Sequence, residues 1–488
     1  MKEEESIVKG SLYLSIAKFL SNLMLAFSII IVARVIGASN YGYFVVAISL
    51  VGLLNSFGGF GIGPYLSAHL PRFKKERKLK VISTTFYLNA IISSFLTVFA
   101  FLFLPNFSNT PLLVSIASLS ILLNLIFAYF VNLFISLRRA GFSSLATIFQ
   151  SFSQAFSSII LSFLNFGMYA PLIGLEIGYA IGIIVSLFFL KKLKIKIEPI
   201  LEKKEIKKLF SFSSFLIISS IFSFFSARFA IVYLSKFVES STIGNIGIVQ
   251  NFIVVSDIIV GSIASVAMPI FATQEENRKR RVFGISLKYT FLLILFPIII
   301  LFLFPNFVIN ILFGKNYGEA IPYLKLYSIY LLFSFPWYLF SSLILAERRI
   351  KLYTFISVFG SVALLLLVPF ESIFKAIGYF FALIISSFIT NLLTFFLLRS
   401  KIGLRKKELF EILTASFIFF IFSYSISYFV KRLLEFFVAF FFLFFVYVFV
   451  LRLLIKKKEI EIIKISIKNS RLRVLSPFLE NVWNFLGF

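Results

Sequence analysis

A helix needs roughly 20 consecutive apolar residues to cross the ~30 Å hydrocarbon core of a bilayer, and runs of that kind recur along the whole of this chain. Bounded by Pro, Gly and charges, fourteen of them fall at approximately 10–36, 40–62, 80–104, 112–137, 143–166, 170–190, 209–234, 243–270, 282–304, 322–346, 352–369, 375–398, 409–429 and 433–455. Backbone in hydrocarbon must satisfy its own hydrogen bonds, so each run predicts a helix and the chain predicts an all-α integral membrane protein with about 14 transmembrane helices. The last two runs are split only by Lys431 and Arg432. Composition agrees: 60% of the residues are hydrophobic and 14% charged, where a soluble domain carries about 25% charged residues.

Several chemistries are excluded by what the chain lacks. It has no Cys, one His (His69) and one Asp (Asp257), which removes disulfides, Cys-based zinc or iron–sulfur sites and, in practice, His-clustered metals or a Ser-His-Asp triad. No GxxxxGK[ST] loop is present for a nucleotide-driven pump. A net charge of +27 on so apolar a chain fits basic cytoplasmic loops better than nucleic-acid binding. The charge alternates from loop to loop. One set of connections and both terminal segments carry 38 of the 48 basic residues, among them 71–80, Arg138-Arg139, 191–208, 278–281, 348–351, 399–407 and the stretch Arg452 to Arg473. The alternate connections carry five. The positive-inside rule then puts both termini on the cytoplasmic side of the cytoplasmic membrane. The first apolar stretch is too long for a cleavable signal peptide, follows Glu3-Glu4-Glu5 and lacks a small-residue cleavage site.

Landmarks also repeat about 200 residues apart. Ser39-Asn40-Tyr41-Gly42 returns loosely as Ser241-Thr242-Ile243-Gly244, Leu104-Pro105-Asn106-Phe107 as Phe304-Pro305-Asn306-Phe307, and Arg138-Arg139 as Arg348-Arg349, at shifts of 202, 200 and 210. Lys191-Lys192 returns near Arg399–Lys401. The pattern predicts a duplication: an N-terminal six-helix lobe over 1–200, a second over 201–402, two additional transmembrane helices over 403–455, and a basic amphipathic cytoplasmic tail over 456–488. Two lobes of six helices are related by a pseudo-two-fold axis along the membrane normal, and the interface of such repeats is the usual transport pathway.

The segment from Ala33 to Phe73 resembles the opening of the polysaccharide-transport (oligosaccharide) flippases of the multidrug/oligosaccharidyl-lipid/polysaccharide exporter superfamily. The resemblance rests on Ala33, Arg34, Gly37, Tyr41, Gly42, Phe44, Gly58, Gly59, Gly61 and Gly63, and in the second half on Ile243-Gly244, Met268-Pro269 and Leu312 to Ala320. It implies a transporter that flips a lipid-linked oligosaccharide, on a polyprenyl or dolichyl phosphate or pyrophosphate carrier, by alternating access and without a cofactor. The partners implied are that substrate, membrane lipids and, functionally, glycosyltransferases. The chain departs from the family at Ala227, where an acid often precedes the basic residue of the seventh span.

Such a cargo asks for a wet cationic cavity, and ionisable residues inside spans are its default lining. Lys18, Arg228 and Arg34 are candidate phosphate contacts. The competing readings are snorkelling for Lys18, pairing with Asp257 for Arg228, and an outer headgroup or backbone carbonyl for Arg34. Lys288 and Lys325 read as snorkelling. Asp257 either couples H⁺ or Na⁺ or forms an ion pair, and Glu176 lies toward the outer headgroups. Gln250 and Asn251 precede Asp257 by about two turns, Gln250 on its face, and suit sugar hydroxyls. Asn55, Ser56, Gln150, Ser151, Ser153 and Gln154 are polar too, with helix–helix packing as the plain alternative. Asn106-Phe107-Ser108 fits a glycosylation acceptor, close to the membrane. Two other functions stand against the flippase. A multidrug/cation antiporter would use Asp257 and Glu176. A membrane enzyme of glycan assembly would need a carboxylate cluster, and the outer turns offer only the scattered Glu239, Glu319, Glu371 and Glu435.

Overall fold

The computed structural model describes residues 2–403 and 406–454; the tail expected at 456–488 lies outside them. The apolar runs are helical over most of their length, and no strand occurs among the described residues. In chain order the helices are α1 (Lys2–Asn55), α2 (Ile62–His69), α3 (Lys75–Phe103), α4 (Pro111–Ser136), α5 (Ala140–Phe163), α6 (Tyr169–Lys192), α7 (Lys203–Leu234) and α8 (Ser240–Gln250). They continue as α9 (Ile253–Thr273), α10 (Glu276–Leu303), α11 (Pro305–Leu312), α12 (Ala320–Ala346), α13 (Ile350–Leu367), α14 (Phe370–Leu398), α15 (Lys406–Phe429) and α16 (Leu433–Leu454).

Twelve helices among the described residues are long and apolar enough to cross a membrane, so the protein is a multi-pass membrane protein. Two of the fourteen expected runs are not separate members of that set. The first two are one segment, Ala17–Asn55, of 39 residues. At 1.5 Å per residue this is roughly 58 Å long, about twice one hydrocarbon core. Gly37 breaks it (φ 76°, ψ 167°), in a conformation that costs a residue without Cβ least. The other is α5, 24 residues long but carrying seven serines and two glutamines.

The chain divides into two compact units. The first comprises Lys9–Ile248 with Ser357–Tyr379. One of its cores joins α2, α3, α4, α6 and α7 around Tyr65, Leu66, Phe130, Phe134 and Leu209. A second joins α1, α3, α4 and α6 around Ala47, Leu50, Ala100, Ala117 and Leu172. α5 and α6 meet along Gly174, Gly178 and Gly182, where a Cβ would run into Ser158, Gln154 and Phe127. Small residues bring the helices close, and Gln150 spends its amide on Gln154 (2.7 Å). That bond runs along α5 itself, between side chains one turn apart.

The second unit comprises Val249–Ile356 and the described residues from Phe380 on. Ile270, Phe271, Phe283, Leu339, Phe340 and Leu398 pack α9, α10, α12 and α14 together. Ile299, Phe304, Phe419, Phe436 and Leu443 bind α15 and α16 to α10 and α11. Lys288 does not snorkel: it is 2% exposed, and its Nζ donates to the Leu454 carbonyl (2.7 Å).

The duplicated Arg-Arg landmark is a repeated piece of backbone. At the end of α4, Arg138 is left-handed (φ 59°) and the Arg139 amide donates to the Phe134 carbonyl (2.8 Å). At the end of α12, Arg348 is left-handed (φ 57°) and the Arg349 amide donates to the Ile344 carbonyl (3.1 Å). Both are the 6→1 closure of a Schellman cap, with cations where the helix dipole favours them.

Candidate functional site

Arg228 sits in α7, two turns from its end, half-buried in the first unit. Its shaft lies across α1 at Gly52: a Cβ there would fall 3.1–3.2 Å from Arg228 Cγ, Cδ and Nε. Tyr179 of α6 and Tyr379 of α14 are close enough to interact with it electrostatically. Among the described residues of this unit no carboxylate reaches ion-pair distance of its guanidinium. A permanent charge in a membrane-crossing helix is costly, and here its electrostatic neighbours are two tyrosines rather than an acid. Gly52, Tyr179 and Tyr379 were not singled out from sequence. They stand 176, 49 and 151 positions from Arg228 in the chain, so no local sequence signal marks them.

Lys18 and Arg34 are exposed side chains of α1. The structure does not bring them together. Sixteen helical residues separate them, about 24 Å at 1.5 Å per residue, so one phosphate cannot touch both.

Asp257 belongs to the second unit, half-buried on α9. Its Oδ1 accepts a hydrogen bond from the Tyr338 hydroxyl (2.7 Å), and Tyr330 is an electrostatic neighbour. Tyr327 donates to the Gln250 carbonyl (3.2 Å). These tyrosines share one face of α12, since spacings of 3 and 11 return to nearly the same angle on a 3.6-residue helix. The expected single helix over 243–270 is interrupted: α8 stops at Gln250 and α9 starts at Ile253. Gln250 therefore does not sit on the face of Asp257 by helical phase. Gln250 and Asn251 are half-buried at the break instead. α8 is 11 residues long, roughly 16 Å, about half of what one helix needs to cross a ~30 Å core. Interrupted helices within a span are where transporters place substrate and ion sites.

The first pair of repeated landmarks meets in space, inside the first unit. A Cβ on Gly42 would lie 1.7 Å from the Ser240 carbonyl oxygen, and a Cβ on Gly244 would lie 2.0 Å from the Ala38 carbonyl oxygen. One turn further along α8, Gly247 faces a side chain instead: a Cβ there would lie 2.6 Å from Val45 Cγ2. Each partner is related to the reciprocal one by a shift of 202 residues, so equivalent stretches of α1 and α8 cross backbone to backbone. The Ser39 and Ser240 hydroxyls are 3.3 Å apart beside the crossing.

No group of three or more His, Asp or Glu side chains placed to hold a metal occurs among the described residues. Glu371 is 0% exposed with neither oxygen hydrogen-bonded, and Oε1 of the half-buried Glu176 also makes no hydrogen bond.

Among solved structures, the chain is similar to a lipid II flippase MurJ in an inward closed conformation, at 18% identity over 90% of this chain and 98% of that one, with a TM-score of 0.76. It is also similar to an inward-facing multidrug resistance MATE family transporter of the MOP superfamily (15% identity, 78% of this chain and 94% of that one, TM-score 0.60). A MOP superfamily transporter from Pyrococcus furiosus matches at 14% identity over 82% of this chain and 95% of that one, with a TM-score of 0.50. These neighbours are transporters and flippases, not enzymes. None of the curated proteins compared with the sequence matches it. The family model described as "Polysaccharide biosynthesis protein" matches residues 7–275, more than half of the chain: the protein belongs to that family, on the fold of the MOP-superfamily transporters.

Proposed function

We propose that the protein flips a lipid-linked oligosaccharide across the cytoplasmic membrane by alternating access, for the assembly of a surface polysaccharide or glycoprotein. The single observation that carries this reading is Arg228: a permanent cation in a membrane-crossing helix, with two tyrosines as its electrostatic neighbours and without a carboxylate of its own unit. A planar guanidinium offers two parallel donors to a phosphate, and the carrier phosphate or pyrophosphate is the part of the cargo that hydrocarbon rejects most strongly. Lys18 and Arg34 act in turn at different depths of the α1 stretch that precedes Gly37. Lys18 serves the cytoplasmic side, where the basic connections place both termini. Gln250 and Asn251 meet glycan hydroxyls at the helix break, and Asp257, held by Tyr338, couples H⁺ or Na⁺ movement.

The architecture of this reading has fourteen crossings, counting α1 twice and α5 once. Two six-helix lobes over 1–200 and 201–402 are followed by two further helices. The repeated Arg-Arg caps and the reciprocal Gly42/Gly244 crossing support that duplication. The prenyl tail stays in an apolar setting. A 510 Å³ groove of the second unit, walled by Phe291, Phe333, Phe388 and Phe395 and edged by Arg399, offers one. Glycosyltransferases supply the cargo.

Arg228→Ala abolishes glycan export while the protein remains in the membrane at normal abundance, and Arg228→Lys keeps part of the activity. Normal export by Arg228→Ala removes this residue from the mechanism. A cation antiporter of the same superfamily is the second reading, favoured by the unpartnered Glu371 and by Glu176. Efflux of cationic dyes from whole cells, lost in Glu371→Gln, would select it.

A further inference from the structure

A second cavity lies away from Arg228, on the connections that carry few cations. It encloses about 650 Å³, within the roughly 300–1,000 Å³ range of small-molecule sites. The turns after α7, before α4 and at the break of α1 build it, all within the first unit. Its walls are unlike the rest of this greasy chain. Hydroxyls and an amide come from Ser39, Ser108, Asn109, Thr110, Ser235 and Ser240. Tyr43 and Phe107 supply rings, and Phe107 is 71% exposed, free to present a face. One cation, Lys236, and one anion, Glu239, also line it, so the lining carries no net charge.

We propose that this pocket is a carbohydrate-binding subsite, which receives the glycan of the cargo on the outer side while the phosphate is held elsewhere. This rests on the flippase reading given above. A phosphate would call for an excess of cations and a drug cation for an excess of acids. A neutral, hydroxyl-rich wall beside open aromatic faces matches a sugar, whose hydroxyls need donors and acceptors together and whose C–H faces pack on rings. Much of the lining is already ordered: Ser39 and Ser240 share a hydrogen bond (3.3 Å), and the Ser108 hydroxyl accepts from the Thr110 amide (3.1 Å). Ser39 and Ser240 flank the Gly42/Gly244 crossing, so a sugar seated here touches the same two chain segments whose separation would open this side.

Saturation-transfer NMR on the full chain in lipid nanodiscs tests the proposal, with maltotetraose, chitotetraose and mannotetraose as soluble probes. At least one tetrasaccharide is expected to give saturation transfer. The signal should fall at least tenfold in Asn109→Ala/Thr110→Ala and in the pocket-filling Thr110→Trp, both checked for unaltered thermal stability. It should persist in Arg228→Ala, which separates this subsite from the phosphate reading. Absence of transfer to all three sugars in the wild type, or equal transfer in folded pocket variants, overturns the proposal. The export test on Arg228 is unaffected by either result.

Discussion

The Gly42/Gly244 crossing permits a quantitative test in a chain with no cysteine of its own. In Gly42→Ala the new Cβ would start 1.7 Å from the Ser240 carbonyl oxygen and 2.6 Å from its carbon. Carbon–oxygen contacts between packed backbones relax at about 3.3–3.6 Å, so α1 and α8 must part by roughly 1.5–2 Å. Both obstacles are backbone atoms, and no side chain can rotate away. Overpacking of this kind costs about 1–3 kcal/mol, which lowers the population of the crossed state about 5- to 150-fold against any state lacking the contact. The reporter is a cysteine pair at Ser39 and Ser240, whose hydroxyls are 3.3 Å apart, near the reach of a disulfide. In an otherwise unaltered chain, Ser39→Cys/Ser240→Cys should cross-link under mild oxidation, stop export, and recover export on reduction. Adding Gly42→Ala should slow cross-linking by the factor above. Gly244→Ala should do nearly the same, and the two together little more than either, because one separation relieves both clashes. Cross-linking of Gly42→Ala at the rate of the parent pair, with unchanged thermal stability, refutes the backbone contact and the gate built on it.

Three further outcomes follow from single contacts. Gly52→Ala should be tolerated, since its Cβ would sit 3.1–3.2 Å from a flexible Arg228 side chain, whereas Gly52→Leu should displace the guanidinium and reduce export at least tenfold with normal membrane abundance; equal activity of the two variants would show that Gly52 does not set the place of Arg228. For Asp257 and Tyr338, joined at 2.7 Å, a double-mutant cycle of Tyr338→Phe with Asp257→Asn should give a coupling energy of about 1.5–3 kcal/mol in thermal unfolding, and a value near zero would remove the hydrogen bond. Glu205 is 4% exposed and holds Tyr65 (3.0 Å), Arg77 (2.9 Å) and Lys208 (3.2 Å); because both cations are themselves 41% exposed, Glu205→Gln should cost only about 1–2 kcal/mol, read as a lowered unfolding midpoint in detergent, and an unchanged midpoint at low salt would make the cluster energetically idle.

The helical, membrane-crossing nature of the chain was legible because one demand, backbone satisfaction in hydrocarbon, acts on every residue of every run. What was not legible was where helices bend. The strong breakers within 243–270, such as Gly261 and Pro269, lie away from the place where α8 and α9 part, and at the break itself Tyr327, remote in the chain, takes up the Gln250 carbonyl. Lys288 was misread for a related reason. Its distance from a span end says snorkelling, but a Leu454 carbonyl 166 residues away supplies the partner, and sequence spacing holds no record of that.

The candidate site was legible only at its charges. An arginine in an apolar run announces itself, whereas the residues that shape its surroundings are a glycine and two tyrosines from three other helices. The repeated Gly42/Gly244 landmark is the exception, and it explains itself physically. Two glycines 202 residues apart look like a faint echo until the crossing shows that each forms the wall the other needs. A Cβ on either one alone would collide with backbone across the contact. The constraint is therefore mutual: one position cannot gain a side chain while the other keeps the crossing closed. A contact of this kind demands a small residue at both positions, which is why this landmark reads through sequence while the residues around Arg228 do not.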